Sequence, residues 1–158
     1  MTESTRDDWL AQFLLSMYAL QFSVSITVTV GGLLISGQPI TPAEFFGLAG
    51  EALGEAWKRV GEGASPWTEY FGKLRSQAQE QVQDSAAKRQ AIADEIASSE
   101  NPPAVVEETL ADAQRLLPTY LHLKNVLVYG AQPTPLRLPL WRGRLTEITG
   151  WNFGQITL

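Results

Sequence analysis

The sequence predicts an α+β fold: an N-terminal helix and a strongly bent antiparallel five-stranded sheet, with a helical segment inserted between its strands. Three observations predict it. Residues 22–30 alternate apolar and polar with period two, residues 41–117 carry helical periodicity, and residues 120–158 return to strand-like patterning. Neither strand block is long enough to make a stable sheet alone, so the two are expected to pair. This divides a single domain, 1–158, into a helix at 6–20, a first β-hairpin at 22–40, a helical insertion at 41–117 and the remaining strands at 120–158.

Each element has its own signature. In the first helix Trp9, Leu10, Phe13, Leu14 and Met17 recur at helical spacing, and Asp7 and Asp8 precede them where carboxylates face the positive end of the helix dipole. The stretch is about a dozen residues long, too short to span a bilayer, and its polar positions lack the Lys and Arg of an interfacial helix. It is therefore expected to pack on the domain. Phe22, Val24, Ile26, Val28 and Val30 then alternate with Ser23, Ser25, Thr27 and Thr29, a strand with one buried face. Gly31-Gly32 is a tight hairpin turn, and Leu33 to Ser36 the return strand.

Thr41-Pro42 with Glu44 starts a helix whose apolar stripe is Phe45, Leu48, Ala49, Ala52, Leu53, Ala56, Trp57 and Val60; Gly61 and Gly63 end it. Ser65-Pro66 starts a second, apolar through Trp67, Tyr70, Phe71 and Leu74, then polar and solvated from Gln77 to Ala97. Asn101-Pro102-Pro103 breaks it. A third helix carries Val105, Val106, Thr109, Leu110, Ala113 and Leu116. Strands are expected at Tyr120–Tyr129, Leu138–Thr149 and Trp151–Leu158. In the first of these Leu121 and Leu123 share one parity and Val126 and Val128 the other, so a bulge or sharp bend is expected near Lys124-Asn125.

Composition limits the chemistry. The chain is 44% hydrophobic and 18% charged, a composition that builds a core. It has no cysteine, which excludes disulfides, thiolate metal sites and a cysteine nucleophile, and a single histidine, His122, which excludes a multi-histidine metal site. No Gly-Lys-Ser/Thr follows a glycine-rich loop, and the clustered acids Asp94-Glu95 and Glu107-Glu108 lie on helices expected to be exposed. No catalytic, cofactor-binding or metal site is therefore expected, and a lone strand histidine is more often structural than a base. The formal charge is −5, but it is uneven: residues 41–115 carry −6 and the rest +1. An acidic chain repels nucleic acid over long range, although Lys124, Arg137, Arg142 and Arg144 lie in the strand half beside Trp141 and Trp151.

Protein interaction is the remaining class. On a strand, Trp141 pointing inward turns Arg142 and Arg144 outward together, a docking point for carboxylates, unless acids of the insertion pair with them in the same chain. Trp141, Arg142, Arg144, Trp151 and Lys124 are the candidate partner-binding residues. An exposed strand edge also permits self-association into a homo-oligomer.

Two resemblances follow. Val28–Gly37 looks like the first hairpin of an Sm-like barrel, Leu121–Tyr129 like its third strand and Trp141–Ile148 like its closing pair, a plan compatible with an Sm-like or SH3-like barrel. A more specific resemblance rests on Val30-Gly31-Gly32-Leu33-Leu34-Ile35-Ser36-Gly37 with Ile40 and Glu44-Phe45-Phe46, on His122-Leu123-Lys124-Asn125 with Tyr129, and on Trp141-Arg142-Gly143-Arg144-Leu145 through Gly150, Phe153-Gly154 and Ile156. These blocks, in this order, resemble gas vesicle accessory protein U; residues 60–115 do not take part in the likeness. The resemblance implies a non-enzymatic cytoplasmic protein that assists assembly, stabilisation or clustering of gas vesicles. Its partners would be the shell or other gas vesicle proteins, and it would need no cofactor, nucleic acid or membrane. The other readings are an acidic Sm-like adaptor or scaffold unrelated to gas vesicles and an RNA-binding Sm-like protein.

Overall fold

A computed structural model describes residues 6–61, 63–98 and 113–156. In order these form α1 (Asp8–Leu20), β1 (Ile26–Val30), β2 (Leu33–Pro39), α2 (Pro42–Val60), α3 (Pro66–Ser98), β3 (Tyr120–Tyr129), β4 (Leu136–Arg144), a 3-10 turn (Leu145–Glu147) and β5 (Ile148–Phe153). The two strand blocks join in one antiparallel sheet of order β4-β3-β2-β1-β5, as the patterning anticipated. The sheet is open: among the described residues no ladder joins β4 to β5. Of the third helix expected around 105–117, residues 99–112 lie outside the described set; 113–115 are helical and Leu117 is buried.

The core lies between α1 and one face of the sheet. Leu10, Ala11, Leu14 and Met17 of α1 meet Ile26, Val28, Ile35, Leu121, Leu123 and Val126, with Leu145 and Ile148 from the final turn. Trp9, expected on the buried stripe, is instead 80% exposed. The buried arc runs through Leu10, Leu14 and Met17, which leaves residue 9 one step off its edge. Asp7 caps the helix, its Oδ1 accepting from the Leu10 amide at 3.0 Å.

The first strand is shorter than its alternation. It begins at Ile26, and Phe22 and Val24 are exposed, because partners run out on both sides: Ile26 pairs with Gly37 on β2 and with Phe153, the last residue of β5. Thr27, expected outside, is buried at 1% exposure. Its hydroxyl donates to the Gly154 carbonyl at 2.9 Å and accepts from Ser36 at 2.7 Å, so the polar face of β1 is satisfied internally. The turn Gly31-Gly32 has φ of 56° and 81°, the primed geometry that matches strand twist.

The return strand runs past Ser36 to Pro39. Gly37 permits this: a Cβ there would lie 3.1 Å from the Lys124 carbonyl and 3.3 Å from Val126 Cγ2. Opposite it sits the anticipated bulge. Asn125 has φ 54°, the ladder skips between Ser36–Leu127 and Gln38–Lys124, and the inward parity changes from Leu121 and Leu123 to Val126. The last two strands divide differently from expectation. The break falls at the 3-10 turn, not at Gly150, because Leu145 is fully buried there and its amide donates to the Thr119 carbonyl at 2.9 Å.

In the insertion Thr41 caps α2 and Gly61 ends it, as read. The expected apolar stripe is only half used: Phe45, Leu48, Ala49 and Trp57 are partly covered, while Ala52, Leu53, Ala56 and Val60 are exposed. The two helices approach through glycines instead. A Cβ on Gly50 would lie 2.8 Å from Phe71 Cβ, and Gly47 and Gly54 sit against Arg75 and Thr68. Small residues let backbones approach closely and need a narrow contact strip, which leaves the flanking apolar positions open.

Asn125→Val should cost roughly 1–2 kcal/mol, the expense of a left-handed backbone at a β-branched residue, whereas Asn125→Gly should be near neutral. Urea unfolding of both variants checks this; equal loss in the two would mean that the side chain, not the backbone conformation, matters at 125.

Candidate functional site

The bulge determines what the other face of β3 presents. With Leu121 and Leu123 turned to the core, His122 and Lys124 face the insertion. Lys124 Nζ donates to Glu44 Oε1 at 2.7 Å, and Phe45 and Phe46 lie over the imidazole with ring centroids 4.9 and 6.2 Å away. This is the principal seat of α2 on the sheet.

Beside His122 on β4 sits Arg142, its direct cross-strand partner. Arg142 Nε donates to His122 Nε2 at 3.2 Å, and the guanidinium carbon lies 3.6 Å over the Tyr120 ring. A guanidinium has only donors, so Nε2 is the acceptor and the proton of the neutral imidazole is on Nδ1. That nitrogen is buried without a hydrogen-bond partner. Burial first, and then the Arg142 charge, push the His122 pKa down to about 4.

Next to this group is a half-open cavity of about 340 Å³, lined by the end of α1, the start of α2, the middle of α3, residues 115–119, β3 and Arg142 of β4. Tyr18 of α1 brings a second buried polar atom without a partner, its hydroxyl. Burial raises the phenol well above its ordinary range. Among the described residues no group of three His, Cys, Asp or Glu stands close enough to hold a metal ion.

The five candidate partner-binding residues fall in different places. Arg142 and Arg144 project from the same face of edge strand β4 and are exposed, and among the described residues neither has a carboxylate partner. Trp141 packs against the core, its ring over Gly143, so the inward Trp and outward Arg arrangement holds. Lys124 is engaged by Glu44. Trp151 is on β5, the opposite edge, where it stacks on Phe13 at 6.0 Å and donates from Nε1 to Asp7 Oδ2 at 2.8 Å. Asp7 thus both caps α1 and ties it to β5. Sequence reading missed Tyr18 and Tyr120. Tyr18 is simply the next position on the α1 apolar arc, and nothing in the pattern marks its hydroxyl as buried; Tyr120 precedes Leu121 in the strand, but only the β3–β4 register sets it under Arg142.

Comparison with known families supplies an identification. The family described as Gas vesicle protein GvpU-like matches residues 65–156, more than half of the chain, and the protein belongs to that family. The match takes in α3 and the segment 65–115 that the sequence resemblance set apart, together with β3 to β5, and it leaves out the first hairpin. No curated protein and no solved structure matches the chain. No helix among the described residues is long and apolar enough to cross a membrane.

The histidine yields a pH prediction. Its folded pKa, about 4, lies below the unfolded value near 6.5, so the unfolded chain binds more protons between them. Its contribution is complete above pH 6.5 and is lost as pH falls towards 4, by roughly 3 kcal/mol at most. The stability difference between the wild type and His122→Phe, measured by denaturant unfolding at each pH, should therefore shrink by that order from pH 7 to pH 4. A difference that does not change with pH would show that His122 is not held neutral in the fold.

Proposed function

We propose that this protein is a non-enzymatic gas vesicle accessory protein that assists assembly, stabilisation or clustering by binding other proteins, with Arg142 and Arg144 as its docking point. Membership of the GvpU-like family supports the setting. The observation that carries the contact is the pair of arginines on an edge strand, exposed, on one face and without a carboxylate partner among the described residues. The insertion acid that does reach the strands, Glu44, is taken by Lys124.

Arg142 is the better ordered of the two. Its Nε is engaged by His122 and its guanidinium carbon lies over the Tyr120 ring, so the two terminal amino groups are held for a bidentate carboxylate with less rotamer freedom to lose. Carboxylates on a shell surface or another gas vesicle protein fit this arrangement. The exposed edges β4 and β5 also offer unpaired backbone to a second copy. The acids of α3 sit on a solvated helix, where ion pairs such as Lys73–Glu69 and Lys88–Asp84 form within the helix and are screened by water and salt.

Replacing both Arg142 and Arg144 by Glu should lower co-sedimentation with gas vesicles at least about tenfold, the loss of a hot-spot contact. Arg144→Glu alone, which leaves the His122 pair intact, should give a smaller loss with an unchanged thermal midpoint. Neutralising Glu80, Asp84, Asp94 and Glu95 should change binding little. Loss on the helix variant with retention on the arginine variant would place the contact on the insertion instead.

A further inference from the structure

The cavity beside His122 is not needed for docking through β4, and its chemistry is one-sided. Leu15, Phe46, Val82 and Leu117 give it an apolar wall. Its buried polar atoms are the Tyr18 hydroxyl and the protonated Nδ1 of His122, both without partners, and Arg142 stands in its lining. Among the described residues no carboxylate lines it. A buried polar group with no partner is costly, and two on residues that line one cavity are seldom retained without something that satisfies them.

We propose that this cavity binds a small monocarboxylate with an apolar body, its oxygens accepting from Tyr18 and His122 and its charge balanced by Arg142. Two neutral donors and one cation match a single negative charge. Arg115, which also lines the cavity, has an interaction of its own and is not assigned to the ligand. The volume of about 340 Å³ lies in the range of small-ligand sites and accommodates an aryl or branched alkyl body against the leucines. The carboxylate belongs either to a free small molecule or to the C-terminus of a bound peptide, which presents the same group.

The test uses the full chain with ¹⁵N-labelled histidine, whose single residue gives an unambiguous signal. Benzoate, its neutral counterpart benzamide and the tripeptide acetyl-Gly-Gly-Phe with a free C-terminus are titrated at pH 7. Benzoate should shift the Nδ1 resonance saturably and benzamide should not; saturation by the tripeptide in place of benzoate would assign the same carboxylate site to a peptide terminus. Tyr18→Phe should weaken carboxylate binding about fivefold, the loss of one neutral hydrogen bond, and Arg142→Gln at least about tenfold. Because the Tyr18 hydroxyl has no partner in the protein, Tyr18→Phe should leave the thermal midpoint unchanged or raise it, and should leave gas vesicle co-sedimentation intact because both arginines remain. Absence of a saturable shift with either carboxylate, equal shifts with benzamide, or undiminished binding to Tyr18→Phe would overturn the proposal without touching the docking role of Arg142 and Arg144.

Discussion

The left-handed backbone at Asn125, set against Gly37, is the constraint on which the rest of the molecule depends. A strand of ten residues with uninterrupted alternation could not turn Leu121, Leu123, Val126 and Val128 to one core. One residue at φ 54° moves the phase by one, and a glycine across the ladder leaves room for the backbone that bends towards it. The short amide side chain of Asn125, which donates to Gln38 Oε1 at 3.3 Å, tolerates the left-handed region better than almost any residue but glycine.

That phase change also separates the two sides of the sheet into different tasks. The core side receives α1 and is closed by apolar packing. The other side carries His122 and Lys124, and these give α2 its footing through Phe45 and Glu44. The two helices of the insertion hold each other by a glycine strip more than they hold the sheet, and α3 extends with most of its surface in water. Charge follows the same division: most of the acids lie on the helices, and Arg142 and Arg144 lie on the strand edge.

His122 links the core to the β4 edge. Buried, neutral and accepting from Arg142, it holds a guanidinium over the Tyr120 ring with no carboxylate among the described residues to hold it. A protonated imidazole would repel the same arginine, so the low pKa and the arginine's position are two expressions of one arrangement. The orientation of a surface cation is thus set by a buried ring, and the other nitrogen of that ring is buried without a partner.

Much of this was legible from the amino acids alone. Alternation with β-branched residues, Gly31-Gly32, Thr41-Pro42 and the parity change at 124–125 determined the helices, the hairpin, the bulge and the joining of distant strands in one sheet, because each is a local backbone preference or a requirement to bury one face. Likewise, a strand's two-residue period was enough to turn Trp141 inward and Arg142 outward. Tertiary structure alone decided what depends on residues far apart in the chain. Phe22 and Val24 look like strand residues and are not, because no neighbour reaches them; Thr27 looks external and is buried, because the Gly154 carbonyl comes to meet it. Lys124 is taken by Glu44 eighty positions away, Trp151 by Asp7, and Tyr18 faces His122 across a cavity that only the packing of α1, α3 and β3 creates. Local preference acts through the backbone of a few neighbouring residues, whereas the satisfaction of a buried polar atom depends on which distant group the folded chain delivers to it.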